Sequence, residues 1–171
     1  MKVLVTGGAG FIGSHLVRAL VERGDRVRVV DDFSTGTEEN LDGVVGSIDL
    51  VRGDIRDSEL LERSLEGIEA ILHQAALPSV PRSFAEPAAT SAVNIGGTLS
   101  VLEAARRSGV KKVVFASSSS IYGDSPTSPK EERMEPRPLS PYAVGKLAGE
   151  YYCRLYHKIY GLAAVSLRYF N

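Results

Sequence analysis

The sequence predicts an α/β fold in which a doubly wound parallel sheet has helices on both faces. Short β-rich runs alternate with helical stretches along all 171 residues, and the runs are continuously apolar, as in strands buried on both faces. A glycine-rich loop follows the first of these runs. Since crossovers between parallel strands are right-handed, we expect the strand order 3-2-1-4-5-6 and a site across the carboxyl ends of the strands.

The elements follow from this alternation in chain order. The first strand leads through the glycine loop into the first helix, and each later strand is an apolar run between turn residues. The strands are predicted at Val3–Thr6, Arg26–Asp31, Ile48–Arg52, Ala70–His73, Lys112–Ala116 and Ala163–Tyr169. The clearer helices are predicted at Phe11–Arg23, Ser58–Leu65, Pro87–Ser108 and Pro141–Tyr160. Residues 123–140 are rich in Pro, Ser and charge, which predicts a long surface loop beside the site.

Composition excludes several classes of partner. A net charge of −1 gives no support for a nucleic-acid or anionic-membrane partner, and no apolar stretch approaches the ~20 residues that cross a bilayer. The chain opens directly on a strand, so we expect no signal peptide. Cys153 is the only cysteine, which excludes an internal disulfide and favours the cytoplasm, and we expect it to serve packing. Three histidines without metal-ligand spacing predict no metal site.

The loop Gly7-Gly-Ala-Gly-Phe-Ile-Gly13 is typical of a Rossmann-type dinucleotide site. Glycines permit the tight turn, the close approach of the backbone to a pyrophosphate and the packing of helix on strand. The helix that begins at Phe11 offers free N–H groups and a positive dipole end to the phosphates.

Carboxylates end the next two strands. Asp31 stands about twenty residues after the glycine loop, where a carboxylate accepts hydrogen bonds from the adenosine ribose hydroxyls. It would repel a 2′-phosphate, and no arginine follows it immediately, so NAD is favoured over NADP. A carboxylate at Asp54 is placed for the adenine amino group, beside Ile55. The alternatives are that Asp31 and Asp32 form a turn and that Asp54 is an N-cap or turn residue.

The fourth strand ends in His73-Gln-Ala-Ala76, whose small alanines leave room for the cofactor. Asn94 lies in an apolar helical segment, where a buried amide needs a partner. It is predicted to hold a loop or a water near the nicotinamide, and helix packing is an equally good account.

Tyr142 and Lys146 stand at i and i+4, so they share one face of a helix downstream of the serine run Ser117–Ser120. A phenol beside an ammonium and a cationic nicotinamide has its pKa lowered towards neutrality. We therefore expect Tyr142 to accept a proton during hydride chemistry on an alcohol.

Together these motifs resemble the extended short-chain dehydrogenase/reductases, and within them the nucleotide-sugar 4-epimerases that act on UDP-glucose or UDP-N-acetylglucosamine. The resemblance runs over the whole chain in the right order. It is carried by the glycine loop, Asp54-Ile55, His73–Ala76, Ser117–Gly123, Ser140–Lys146 and Leu167-Arg-Tyr-Phe-Asn171.

The resemblance implies a catalytic triad of Ser118, Tyr142 and Lys146. Ser118, four positions before Tyr122, would hydrogen-bond the sugar 4-oxygen, and Tyr142 would take the 4-OH proton as NAD accepts the C4 hydride. Lys146 would hold the nicotinamide ribose and stabilise the tyrosinate. The hydride then returns to the other face of the 4-keto sugar, so NAD is a retained catalyst.

The predicted cofactor-binding residues are Gly7, Gly10, Phe11, Ile12, Gly13, Asp31, Asp32, Asp54, Ile55, Gln74, Ala75, Ala76, Asn94, Ser117, Tyr142, Lys146 and Tyr169. For substrate, Ser118 and Tyr142 are joined by Asn171, at the family's phosphate-binding position. Arg82, in the loop 77–83, either pairs with the diphosphate or solvates the loop.

The residues after Ser118 help to choose the reaction. Related 4,6-dehydratases carry an Asp-Glu pair there and UDP-glucuronate decarboxylases keep a Glu, whereas this chain has Ser119 and Ser120, which cannot act as general acid and base near neutral pH. The resemblance therefore favours a UDP-glucose/UDP-galactose 4-epimerase. The alternatives are an epimerase of the N-acetylated sugars, another NAD-dependent epimerase or dehydratase, a net dehydrogenase, and a non-catalytic NAD-binding fragment.

Two expectations concern assembly. The sixth strand ends just before Asn171, so we expect residues 1–171 to be the NAD-binding domain of a longer protein, binding NAD but epimerising poorly without a C-terminal substrate domain. We also expect a homodimer through helices 87–108 and 141–160, because the first carries more apolar residues than a monomer needs. Those residues are Val93, Leu99, Val101, Leu102 and Ala105.

Overall fold

The computed structural model describes residues 1–170. Its six strands form one parallel sheet in the order β3-β2-β1-β4-β5-β6, so the predicted doubly wound fold and strand order are confirmed. The strands are β1 Lys2–Thr6, β2 Arg26–Asp31, β3 Ile48–Arg52, β4 Ala70–His73, β5 Lys112–Ser118 and β6 Ala163–Tyr169. No helix within residues 1–170 is long and apolar enough to cross a bilayer.

Helices cover both faces of the sheet. They are α1 Phe11–Glu22, α2 Ser58–Ser64, α3 Val80–Ala85, α4 Pro87–Ser91, α5 Thr98–Arg107 and α6 Pro141–Tyr160. Helix α6 begins at the N-cap Ser140, whose hydroxyl accepts from the Ala143 N–H, and ends at Gly161 in the left-handed conformation. Short 3-10 turns lie at Glu38–Leu41, Val45–Ser47 and Ser119–Tyr122.

Three segments differ from the sequence prediction by more than one residue. Strand β5 extends two residues further because Ser117 and Ser118 pair with β6. The predicted helix Pro87–Ser108 contains a π-helical turn, Ala92–Gly97, between α4 and α5. Helix α3 forms within the segment predicted as a loop, because the Ser79 hydroxyl caps it by accepting from the Arg82 N–H.

The apolar residues of α5 belong to the core. Val101, Leu102 and Ala105 are fully buried, and Val93 and Leu99 pack against the same cluster. Their number therefore reflects burial against the sheet, which corrects the reason given above for expecting an interface on this helix.

Helix α6 packs unusually close to β5. Gly149 faces the ring of Phe115, and a Cβ atom at this position would overlap the ring. Gly145 faces the Cβ of Asn94, which would lie 3.2 Å from an added Cβ. This close packing brings the Tyr142–Lys146 face of α6 against the end of β5.

We predict that Gly149→Ala destabilises the protein by about 1–3 kcal/mol, because overpacking a filled core forces backbone or ring displacement. Gly96→Ala is the matched control. It adds a methyl group in open space on a helical segment, and we expect no loss or a small gain in the free energy of unfolding. Urea denaturation of both variants measures the difference, and equal stabilities would contradict the packing argument.

Candidate active site

A cleft of about 310 Å³ lies across the carboxyl ends of the strands. The predicted site residues that line it are Gly7, Gly10, Phe11, Ile12, Gly13, Asp31, Asp32, Asp54, Ile55, Gln74, Ala75, Ala76, Ser117, Ser118, Tyr142, Lys146 and Tyr169. The fold therefore gathers residues from all six strand ends and α6 into one site.

Two predicted residues of the described part of the chain, Asn94 and Arg82, do not line this cleft. Asn94 is buried, and its amide accepts from the Leu77 N–H at 2.8 Å and donates to the Leu77 carbonyl at 3.2 Å, so it holds the loop after β4. The Arg82 guanidinium pairs with Glu86 at 2.9 Å, on the exposed surface of α3. Asn171 lies outside the described residues.

The glycine loop forms a cradle that side chains would fill. Gly7 has a φ of 71°, and a Cβ there would stand 2.6 Å from the Ala75 nitrogen. A Cβ on Gly13 would overlap the Gly7 carbonyl oxygen. Since an α-helix leaves its first N–H groups without intrahelical acceptors, the start of α1 presents donors to this cradle. The cradle fits the pyrophosphate of a dinucleotide.

Asp31 braces the glycine loop. One of its carboxylate oxygens accepts from the Ala9 N–H at 2.8 Å and the other from the Phe33 N–H at 2.9 Å. Burial raises the pKa of Asp31, and these two hydrogen bonds oppose that rise. Asp31 thus supports the loop backbone and also lines the cleft.

Two further carboxylates that line the cleft, Asp32 and Asp54, already accept hydrogen bonds from the protein. Asp32 accepts from the Ser34 N–H at 2.9 Å and from its hydroxyl at 2.6 Å. Asp54 accepts from the Arg56 guanidinium, which lowers the pKa of Asp54. Both turn roles considered from the sequence are therefore present, in residues that also line the cleft.

The end of β5 orients the Ser118 hydroxyl. Its oxygen accepts from the Ser120 N–H at 3.1 Å and caps the turn Ser119–Tyr122. Because this hydrogen bond uses an acceptor position, the hydroxyl proton is left to donate into the cleft.

Lys146 is a buried cation. It is 4 % exposed, and its ammonium donates to the Ala116 carbonyl at 2.8 Å. Burial lowers the pKa of Lys146 to about 8. Within residues 1–170 no carboxylate pairs with it, so the ammonium keeps donors for a ligand.

The surroundings of Tyr142 act on the pKa of its phenol in opposite directions. Burial raises it, while the Ser118 hydroxyl acts in the opposite direction. The Lys146 ammonium lies 5.8 Å from the centroid of the Tyr142 ring. The protein alone therefore keeps the phenol protonated, and the lowering expected from the sequence would need the positive charge of a bound nicotinamide.

His73 has a structural role that the sequence analysis did not assign to it. It is 1 % exposed, and its Nδ1 and Nε2 lie 2.7 Å and 3.0 Å from the hydroxyls of Thr6 and Thr98. Thr98 donates to the Asn94 carbonyl, so it must accept from Nε2–H, which leaves Nδ1 to accept from Thr6. Burial lowers the pKa of His73 to about 3, so this neutral ring fixes the end of β4.

The sequence analysis also missed the ion pair of Glu150 and Arg168, which holds the end of β5. Glu150 accepts from the Ser117 hydroxyl at 2.6 Å and from Arg168 through both carboxylate oxygens. The signal was available, since Glu150 follows Lys146 by four residues on the same helical face. Among residues 1–170, no group of three or more His, Cys, Asp or Glu is placed to hold a metal ion.

Comparison with known proteins decides the family. Residues 3–171 match the profile of the NAD dependent epimerase/dehydratase family. The chain belongs to this family. Among curated relatives, a UDP-glucose 4-epimerase from Mycolicibacterium smegmatis is 46% identical over 166 residues, which are 95% of this chain and 53% of the relative.

Solved structures agree in fold. A UDP-glucose 4-epimerase of Thermus thermophilus in complex with NAD has a TM-score of 0.92 at 46% identity, covering 99% of this chain and 55% of that one. A UDP-N-acetylglucosamine 4-epimerase from Methanobrevibacter ruminantium has a TM-score of 0.95 at 42% identity, with the same coverage. A dTDP-glucose 4,6-dehydratase from Streptomyces venezuelae with NAD bound has a TM-score of 0.95 at 40% identity. The match covers 98% of this chain and 55% of that one. The chain thus spans about half the length of these proteins.

We predict that Lys146→Met stabilises the protein at pH 7 by about 1–3 kcal/mol. The folded-state pKa of about 8 lies below the ordinary 10.5, so burying the charged amine lowers stability at neutral pH. Stability should rise with pH between these values, and the gain from the substitution should shrink accordingly.

Chemical denaturation at pH 7 and pH 9.5 tests this, with the exposed Lys111→Met as control. A loss of stability in Lys146→Met at pH 7 would show that the ammonium supports the fold instead of serving a ligand.

Proposed function

We propose that the protein is a UDP-hexose 4-epimerase that interconverts UDP-glucose and UDP-galactose in galactose metabolism, with NAD held in the cleft. The observation that carries this proposal is the convergence of Ser118, Tyr142 and Lys146 on the same cleft that the glycine cradle and Asp31 line. Family membership supports NAD as the cofactor.

The site residues fit NAD. The donors at the start of α1 face the pyrophosphate position, Asp31 and Asp32 line the adenosine end, and the free donors of Lys146 suit the nicotinamide ribose. When bound, NAD supplies reversible oxidation at the sugar C4. The adenosine end lacks lining cations within the described residues, which favours NAD over NADP.

The chain's own residues would handle the proton. With NAD bound, Tyr142 would act as the phenolate, whose oxygen accepts the proton of the sugar 4-OH and later returns it, so the net proton change would be zero. Ser118 donates a hydrogen bond to the 4-oxygen, since its own oxygen is occupied by the Ser120 N–H. The Lys146 charge stabilises the phenolate while it exists.

The dehydratase branch is disfavoured although one such enzyme is equally similar in fold. Elimination of water needs an acid and a base near the sugar, and the carboxylates lining the cleft, Asp31, Asp32 and Asp54, lie at its adenosine end. At the Tyr142 end the chain offers Ser119 and Ser120 instead.

A second candidate is the epimerisation of UDP-N-acetylglucosamine, favoured by the similarity to an epimerase named for that sugar. Supplying both sugars to the full-length protein separates the two. The non-catalytic alternative is disfavoured because Lys146 is buried without a carboxylate partner among residues 1–170, a costly arrangement for a passive cofactor sensor.

We also propose a cytoplasmic homodimer. Helix α6 exposes an apolar stripe at i, i+7, i+11 and i+15, formed by Val144, Tyr151, Leu155 and Ile159. Such a stripe supports helix packing against a second copy. A single-chain mass in sedimentation at micromolar concentration would contradict the dimer, and the one free cysteine supports a reducing compartment.

We predict that Tyr142→Phe in the full-length protein lowers kcat for conversion of UDP-glucose by about 10²–10⁴-fold, because the phenylalanine ring cannot accept the 4-OH proton. NAD affinity should be nearly unchanged, since the cradle is untouched. The matched control is Tyr160→Phe, which removes an exposed hydroxyl from the same helix. Epimerisation at the wild-type rate in Tyr142→Phe would exclude the assigned role.

A further inference from the structure

A buried polar network lies directly behind the triad. Arg168 of β6 pairs with Glu150 of α6 through two hydrogen bonds of 2.9 Å, and Glu150 accepts from the Ser117 hydroxyl at 2.6 Å. Arg168 also donates to the Tyr122 hydroxyl at 2.9 Å and to the Glu132 carbonyl at 3.0 Å. One guanidinium thus connects α6, the end of β5 and the segment after it.

The network completes a pattern along α6. Tyr142, Lys146 and Glu150 stand at i, i+4 and i+8, so they share one helical face. Lys146 binds the carbonyl of Ala116, and Glu150 binds the side chain of the next residue, Ser117. Helix α6 is therefore hydrogen-bonded to two consecutive residues of β5, immediately before Ser118.

The contact between Glu150 and Ser117 is buried and its carboxylate is held ionised. Glu150 and Ser117 are each 3 % exposed, and the ion pair with Arg168 is shielded from solvent. Burial alone would raise the pKa of Glu150, but Arg168 and the Ser117 hydroxyl outweigh burial and hold the pKa below its ordinary value. Arg154 adds a further positive charge nearby. The carboxylate therefore stays ionised and bound at neutral pH.

The Lys146–Ala116 and Glu150–Ser117 contacts have different roles. The Lys146 ammonium must share its donors between Ala116 and the nicotinamide ribose under the function proposed above. Glu150 makes its contacts only within the protein, so it can keep the helix in register while Lys146 serves the ligand.

We propose that Glu150 is a positioning residue which, held by Arg168, fastens α6 to the end of β5 through Ser117 and so sets the approach of the Tyr142 phenol to Ser118. This inference rests on the proposed role of Tyr142 and is independent of which sugar is bound.

A second ion pair provides the matched control. Glu103 of α5 accepts from Arg106, Arg107 and the Tyr156 hydroxyl, so like Glu150 it binds arginine and a hydroxyl, in a more exposed position. It belongs to α5 and α6 surfaces away from the cleft. Glu103→Gln therefore removes a similar ion pair without touching the end of β5.

The test is a pH titration of tyrosinate absorbance, with and without NAD, in wild type, Glu150→Gln and Glu103→Gln. A Tyr142→Phe partner for each protein isolates the signal of Tyr142 by difference. Charge alone predicts a lower Tyr142 pKa in Glu150→Gln, because an anion about 12 Å along the helix is removed and Arg168 is left unbalanced. Loss of positioning predicts the opposite sign, since the contact with Ser118 that lowers the pKa is weakened.

We expect the Tyr142 pKa to rise by roughly half a pH unit or more in Glu150→Gln and to stay unchanged in Glu103→Gln. An unchanged or lowered value in Glu150→Gln overturns the inference. If NAD leaves the wild-type value unchanged, that result counts against the proposed function instead.

Ser117→Ala provides a second test in case Glu150→Gln does not fold. It removes only the hydroxyl that links α6 to the end of β5. We expect the same upward change in this variant, and in a folded double variant the two effects should not add, since both break one connection. Additive effects, or no change in Ser117→Ala, would likewise overturn the inference.

Discussion

The close packing of α6 on β5 is the constraint on which the rest of the site depends. Gly149 lets the helix lie on the Phe115 ring, and one turn earlier Lys146 reaches the Ala116 carbonyl at the carboxyl end of the same strand. A bulkier residue at 149 would lift the helix and separate Tyr142 from Ser118. The proposed chemistry therefore depends on an apolar contact that includes none of the groups proposed to react.

The same principle recurs on the other side of the cleft. There the Asp31 carboxylate accepts from the Ala9 N–H, so the glycine loop is fixed by a carboxylate that also lines the cleft. His73, neutral and enclosed between two threonine hydroxyls, fixes the end of β4 between the two halves. Asp31 and His73 are hydrogen-bonded to neighbouring groups of the protein, whereas Lys146 keeps donors for a ligand at a cost in stability.

The sequence predicted the fold and most of the cleft because both depend on local patterns. Apolar runs located every strand, and the ends of parallel strands necessarily converge on one edge of the sheet. The misses are long-range: Glu150 needed Arg168, whose position opposite α6 follows only from the pairing of β5 with β6. The two alternatives for Arg82 stayed open in the sequence, because its salt bridge to Glu86 depends on α3, which forms in the segment expected to be a loop. The π-helical turn at Ala92–Gly97 had no local signal that we recognised.

Calorimetric titration of the protein with NAD and NADP tests the central claim most directly. The claim is that the cleft holds NAD between the glycine cradle and Lys146, with Asp31 at the adenosine ribose. We expect NAD to bind at least about tenfold more tightly than NADP, because the 2′-phosphate would meet a carboxylate at this position. Equal or tighter binding of NADP, or no binding of either dinucleotide, would contradict the account.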